Sequence, residues 1–247
     1  MFTLHNDDCL KILPSVGPVD TVITDPVWPN APADMFPNIT DAQALLAAAL
    51  ELIDARRVVI IMRNDSDPRF LQAVPKKWSY FRAQVLSYVM PGYIGRKLGG
   101  DEFAYCFGEP LPSAPGRRVI PGWGPRVQPD KAYGKNGHPC SRSLAHMRWL
   151  VNWWSLEGET VLDPFMGSGT TGVACEEMGR KFIGIEIEKK YFRIAEKHLK
   201  RAALQQGLFT PSNTARTRQG DSSSEFSFIS AESDPALSDV PTPAPCG

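Results

Sequence analysis

The segment Val161-Leu162-Asp163-Pro164-Phe165-Met166-Gly167-Ser168-Gly169-Thr170-Thr171-Gly172 constrains this 247-residue chain more than any other. The β-branched run Thr160-Val161-Leu162 predicts a strand. The glycines after it let the backbone leave that strand tightly and let a ligand approach before a helix begins. Gly167, Gly169 and Gly172 satisfy the spacing G-x-G-x-x-G, which alone is weak, because an ordinary strand-to-helix turn can carry it. The next apolar run, Phe182-Ile183-Gly184-Ile185, ends in Glu186, 14 residues after Gly172. A carboxylate at that strand end is placed to accept ribose hydroxyls, which strengthens the reading.

Position in the chain then decides between ligands. A dinucleotide site needs a βαβαβ unit beginning at the glycine loop. After Glu186 the chain offers one amphipathic helical stretch, Glu188 to Leu204, and a tail rich in Ser, Pro and Asp. The remaining strands must come from the N-terminal side. Candidates are Thr21–Thr24, Val58–Ile61, Gln84–Val89 and Phe103–Phe107, with a helix over Asp41–Asp54 between the first two. The expected fold is α/β, a Rossmann-like sheet in circularly permuted order. That order argues against NAD. A nucleoside cofactor without a second nucleotide fits, with Asp163 near its charged amino-acid end and Glu186 on its ribose.

A second motif, Val22-Ile23-Thr24-Asp25-Pro26-Val27-Trp28, puts a carboxylate at a strand end, followed by a rigid turn and a large aromatic. Ligands bind at the carboxyl ends of parallel strands, so Asp25 would face the same crevice as the glycine loop. An exocyclic amine on a nucleobase is a poor nucleophile, since its lone pair is delocalised into the ring. A carboxylate and a backbone carbonyl accepting its two N–H groups would orient it towards a methyl donor. Trp28 offers a surface on which an extruded base can stack. An Asp-Pro turn beside a core tryptophan is the plainer reading of this segment by itself.

The charge balance, 27 basic against 27 acidic residues, hides an uneven distribution. Leu111 to Arg148 holds seven bases and one acid, a local net of +6. Gly220 to Gly247 holds five acids and no base, and without it residues 1–219 carry +5. Most of those bases fall in the Pro- and Gly-rich stretch Glu109–Gly137, which reads as a loop-built insertion. Arg117, Arg118 and Arg126, crowded with Trp123 and with little acid nearby, suit phosphate or base contact. The acidic tail, residues 206–247, reads as a disordered extension.

In the order LHNDDCLKIL, VDTVITDPVW, DEFAYCFGEP, GHPCSRSLAHMRWLV, VLDPFMGSGTTGVAC and GIEIEKKYFRIAEKHL, the chain resembles the beta-class, permuted amino-methyltransferases of DNA over about residues 2–205. The joint pattern is specific although each piece alone is not. The resemblance implies a methyltransferase domain over residues 1–205 that uses S-adenosylmethionine to methylate adenine N6 or cytosine N4 in double-stranded DNA. It implies that Asp25, Pro26 and Trp28 match the catalytic tetrapeptide. Asp163, Phe165, Gly167, Ser168, Gly169, Thr170 and Thr171 match the methionine-binding loop, and Glu186 the ribose acid. Asp8 matches an acid near the cofactor's adenine, and His138 the start of a segment closing over the cofactor. Residues 111–137 match the target-recognition region, with Arg117, Arg118, Trp123, Arg126, Lys131 and Lys135 as DNA contacts. Relatives often form homodimers and accompany a restriction nuclease.

Two departures bear on that expectation. Val27 replaces the second proline of the catalytic turn, and Cys140-Ser141-Arg142 stands where Thr-Gln-Lys is usual. Asp at the first catalytic position favours N6-adenine; the alternatives are N4-cytosine and a DNA-binding module weakened at Val27. Cys140 lies in a helix-entry segment rather than at the catalytic strand end, which argues against covalent C5-cytosine chemistry. The permuted order and basic insertion argue against methylation of a protein glutamine. Trp149, Trp153 and Trp154 space as a buried helix stripe. His5, His138, His146 and His198 are too dispersed for a metal site. No run reaches the ~20 apolar residues of a membrane span. The N-terminus lacks a signal-peptide pattern and five scattered cysteines form no CxxC pair, so a cytoplasmic setting is expected.

Overall fold

A computed structural model describes residues 1–28, 39–89, 92–94, 97–128 and 142–209. In chain order the elements are β1 (Phe2–His5), α1 (Cys9–Ile12), β2 (Val19–Thr24), α2 (Ala42–Glu51), β3 (Ala55–Arg63) and β4 (Tyr80–Leu86). A hairpin of β5 (Gly92–Ile94) and β6 (Lys97–Gly99) precedes β7 (Glu102–Gly108). Then come α3 (Leu144–Trp154), β8 (Thr160–Asp163), α4 (Thr170–Glu177), β9 (Lys181–Ile185) and α5 (Lys189–Phe209).

Seven strands form one sheet in the order β1-β9-β8-β2-β3-β7-β4. The first five run parallel, and β7 lies antiparallel between β3 and β4. The glycine-loop strand β8, late in the sequence, therefore sits mid-sheet between β9 and β2. This is the permuted α/β arrangement expected from the sequence. Strand β1, too short to stand out by pattern, adds the outer edge beside β9.

Alternation along β2 and β3 explains the layers. Ile23, Val59 and Ile61 face α3, α4 and α5, whereas Val22, Val58 and Ile60 face α1 and α2. Strands buried on both faces read as unbroken apolar runs, as Val58-Val59-Ile60-Ile61 does. Leu150, Trp154, Leu46 and Leu50 are fully enclosed, each contributing about 1.5–3 kcal/mol by burial. Asp41 starts α2 by accepting a hydrogen bond from the Ala44 amide at 2.8 Å. The tryptophan stripe on α3 is only partly enclosed: Trp154 is buried, but Trp149 and Trp153 are half-buried at its margin.

Two details differ from expectation. Strand β4 begins at Tyr80 and stops at Leu86; just beyond it the Ser87 carbonyl accepts from Val127 N of the inserted segment and meets a His146 ring nitrogen. The insertion is irregular throughout its described part, in keeping with a loop-built segment, and its attachment to the sheet is what the sequence did not foretell. Residues 122–127 line the outer edge of β4 through Val85–Gly122, Gly124–Val85, Val127–Ser87 and Val89–Val127 backbone bonds of 2.7–3.0 Å. Arg82 donates to the Ile120 carbonyl and Gln84 to that of Pro121. An edge strand that would otherwise expose unpaired amides is covered.

The compact unit spans Met1–Thr210, and α5 continues past residue 205 to Phe209. The acidic tail lies outside the described residues. Among the described residues no helix is long and apolar enough to cross a membrane.

Candidate active site

Five parallel strands bring their carboxyl ends to one edge of the sheet, where ligands bind in open α/β folds. Asp8 follows β1, Glu186 follows β9, the glycine loop follows β8, and Asp25 follows β2. Glu102 opens the antiparallel β7 at the same edge, opposite Arg63.

The glycine loop is shaped by backbone conformation and by packing. Gly167 and Gly169 have φ of +52° and +77°, which side-chain-bearing residues rarely adopt. A Cβ on Gly169 would sit 2.8 Å from Ala195 and Leu199, and one on Gly172 would sit 2.5 Å from the Phe182 ring. Gly169 caps α4 without a side-chain hydrogen bond, so the first-turn amides of that helix face the crevice uncapped. The side chains of Ser168, Thr170 and Thr171 turn inward and are buried. Phe165, half-buried, packs towards the α2 side.

Two carboxylates brace this loop. Glu186 accepts from Gly167 N at 2.9 Å and, with its other oxygen, from Glu188 N at 2.8 Å. Burial raises its pKa from the ordinary value, against those two bonds. Asp163 is 2% exposed and accepts from the hydroxyls of Thr24 and Thr171 and from Phe165 N. Burial pushes it up to about 7 despite these donors. Asp8 caps α1 through Leu10 N. Burial, with the charges of Asp8 and Glu186 adding to it, pushes the Cys9 thiol up to about 12.

Asp25 is not free. Arg142 Nε and a terminal nitrogen donate to its two oxygens at 2.5 and 3.0 Å, and the third nitrogen donates to Glu102. The Tyr88 hydroxyl donates to the second Glu102 oxygen at 3.3 Å. The guanidinium lies 4.5 Å from the centroid of Trp28, which is 7% exposed and donates its indole N–H to Ile61 O. Burial raises the Asp25 pKa and lifts Glu102 to about 7, Arg142 opposing both shifts. Burial alone would lower the Arg142 pKa, but its two carboxylates raise it.

Arg142, Glu102 and Tyr88 were missed as site residues by sequence reasoning. The signals were present: Arg142 is one of the two motif departures, and Glu102 is an acid opening an otherwise apolar strand. Of the expected DNA contacts, Arg118, Trp123 and Arg126 are exposed, Trp123 at 74%. Arg117 instead lies 5.7 Å over the Trp153 ring. That ring neighbours Trp154, whose carbonyl meets Thr21 at the start of β2, the sheet edge opposite Asp25. His138, Lys131 and Lys135 lie outside the described residues. Among the described residues no group of His, Cys, Asp and Glu could hold a metal.

The donor set fits S-adenosylmethionine: uncapped amides at the start of α4 for a carboxylate, and Glu186 beside them for a ribose. With the sheet order, it fits a Rossmann-like fold that holds S-adenosylmethionine. Residues 97–197 match a family model described as DNA methylase, of N6/N4 type. The chain is similar to the Type II methyltransferases M2.LlaDCHI of Lactococcus lactis, 44% identical over 27% of this chain, and M2.DpnII of Streptococcus pneumoniae, 45% over 25%. The matches span about a quarter of those relatives, 24% and 23% of their lengths. The solved M1.HpyAVI–SAM complex superposes with a TM-score of 0.62 at 28% identity, covering 81% of this chain and 99% of that one. PvuII DNA methyltransferase, named as cytosine-N4-specific, shares the fold at TM-score 0.57 and 13% identity, over 87% and 88% of the two chains. The resemblance to the amino-methyltransferases holds in both sequence and fold.

Proposed function

We propose that this chain methylates adenine N6 at defined sites in double-stranded DNA. The carrying observation is the placement of Asp25: it ends the strand adjoining the glycine-loop strand, and Thr24 ties the two tips together through Asp163. An amine bound at Asp25 thus lies beside the cradle formed by the loop and Glu186. When bound, S-adenosylmethionine supplies a methyl group on a sulfonium sulfur, which keeps the electron pair of the C–S bond that breaks. Asp25 and the Pro26 carbonyl accept the two N–H groups of the target amine and fix the direction of its lone pair. As the N–C bond forms, the nitrogen becomes positive, and the Asp25 carboxylate takes the surplus proton and returns it to water. Ionised Asp25 is therefore the active form. Trp28 stacks on the extruded base. Asp8 and the loop from Gly167 to Thr171 seat the cofactor, while Asp163 acts on it through the loop that it braces.

Arg118, Trp123 and Arg126, on the segment pinned along β4, support DNA contact from residues 111–137, joined by Lys131 and Lys135. The Type II methyltransferase names of the relatives support action at a defined sequence. Transfer of a tritiated methyl group to unmethylated duplex DNA tests the reading. Label no greater than with Asp25→Ala would sink it. Long-read sequencing of DNA from expressing cells then reports the base, and N4-methylcytosine would replace adenine in the proposal.

A further inference from the structure

The carboxylate and the aromatic ring assigned above to the target base are both held by one side chain of the protein. Arg142 meets each oxygen of Asp25 with a separate N–H, and its guanidinium carbon lies over the Trp28 ring, 4.5 Å from the centroid. A guanidinium is flat, delocalised and edged with N–H donors. An aminated purine or pyrimidine ring presents the same combination to the same two partners. The Arg142 side chain is 12% exposed and that of Asp25 20%, so the place is filled from within. Base and guanidinium cannot occupy it together.

We propose that Arg142 is a plug for the base subsite, displaced when the target base enters, with Glu102 as the carboxylate that keeps hold of it. This rests on the reading of Asp25 and Trp28 as the receptor for the base. The third guanidinium nitrogen, the one bonded to Glu102, takes no part in holding Asp25. Tyr88 steadies the far oxygen of Glu102, so that acid stays in place when Arg142 moves. The exchange is donor for donor: a buried carboxylate stripped of all partners is costly, and an incoming amine restores N–H contacts as the guanidinium withdraws. A base lacking an exocyclic amine restores none. Selection for aminated bases then rests on Asp25, and the plug keeps that carboxylate partnered until such a base arrives.

Calorimetric titration of the full chain at pH 8, saturated with S-adenosylhomocysteine to fill the cofactor site, provides the test, with deoxyadenosine, deoxycytidine and thymidine as probes. Removing the plug as Arg142→Gln should tighten binding of an aminated nucleoside about tenfold, since a competing occupied state is removed. Thymidine, which offers Asp25 no exocyclic amine, should bind more weakly than the aminated nucleosides in every variant that keeps Asp25. Arg142→Lys keeps the charge without the flat fork and should shift affinity in the same direction by less. It carries the decision if thermal melting shows that the Gln variant does not fold. Unchanged or weaker binding of aminated nucleosides in the folded variants overturns the proposal, as does binding in none of them. The double variant Arg142→Gln/Asp25→Ala separates the two readings. A gain in affinity that survives loss of Asp25 places the base elsewhere and defeats the catalytic assignment. Methyl transfer by the native chain with weaker binding by Arg142→Gln defeats the plug alone.

Discussion

Thr24 donates its hydroxyl to Asp163 across 2.8 Å, joining the tip of the strand that leads to Asp25 with the tip of the strand that leads to the glycine loop. The same carboxyl takes Thr171 at the start of α4, so three elements meet on one buried acid. Its folded pKa of about 7 lies above the ordinary 3.8, so the folded chain binds the proton more tightly than the unfolded one. Its contribution to stability is complete below the unfolded value and declines as pH rises towards 7. Asp163→Asn cannot titrate but keeps an acceptor for Thr24. Melting temperatures of the native chain should fall relative to that variant between pH 4 and 7 and run parallel above. Parallel curves throughout would remove the account of Asp163.

Gly169 combines a left-handed backbone with close packing on α5. Gly169→Ala should cost about 1–3 kcal/mol from overpacking, with added strain at φ of +77°. Gly158 has a nearly identical φ of +79° but nothing within 4 Å of a new Cβ. Gly158→Ala should therefore show the strain without the collision and melt higher than Gly169→Ala. Equal losses in thermal unfolding would mean that packing against Ala195 and Leu199 is unimportant.

Asp25→Ala should reduce the rate of methyl transfer at least about 100-fold, the range for a positioned proton acceptor. Binding of S-adenosylhomocysteine, measured separately, should stay intact because no cradle residue is altered. Loss of both together would indicate a folding defect and not a missing amine acceptor.

Arg118 and Arg126 are exposed on the segment beside β4, whereas Arg117 packs over Trp153. Replacing Arg118 or Arg126 with Gln should lower the salt slope of DNA binding by about 0.9 for each phosphate no longer neutralised. Arg117→Gln should leave that slope unchanged. A reversed pattern in salt-dependent fluorescence anisotropy would move the DNA face to the other end of the sheet.

The permuted sheet was legible because a glycine loop with only one strand after it leaves few topologies open. The packing roles of its glycines were less so. Spacing suggests that Gly169 and Gly172 admit a ligand, but both are required by close approach to α5 and Phe182, which lie further along the chain. Asp25 was readable from its place after a β-branched run. Its partner was not, since Arg142 lies 117 positions away and stood out only as one base among seven and as part of a motif departure. Pairing across such a distance depends on how a helix entry is aimed, which no local pattern encodes. The irregular insertion gave its charge but not its attachment to β4, because single backbone bridges leave no periodic trace.

Strand β1 has one partner in the sheet, β9, with Phe2 opposite Phe182 and His5 opposite Ile185. On a ribosome adding roughly 5–20 residues per second, β1 waits on the order of ten seconds or more for β9. Until then β2 also lacks β8, leaving an apolar strand edge open to the cell. Chaperone demand during synthesis should concentrate in this interval, which closes only when β9 captures a strand made long before it.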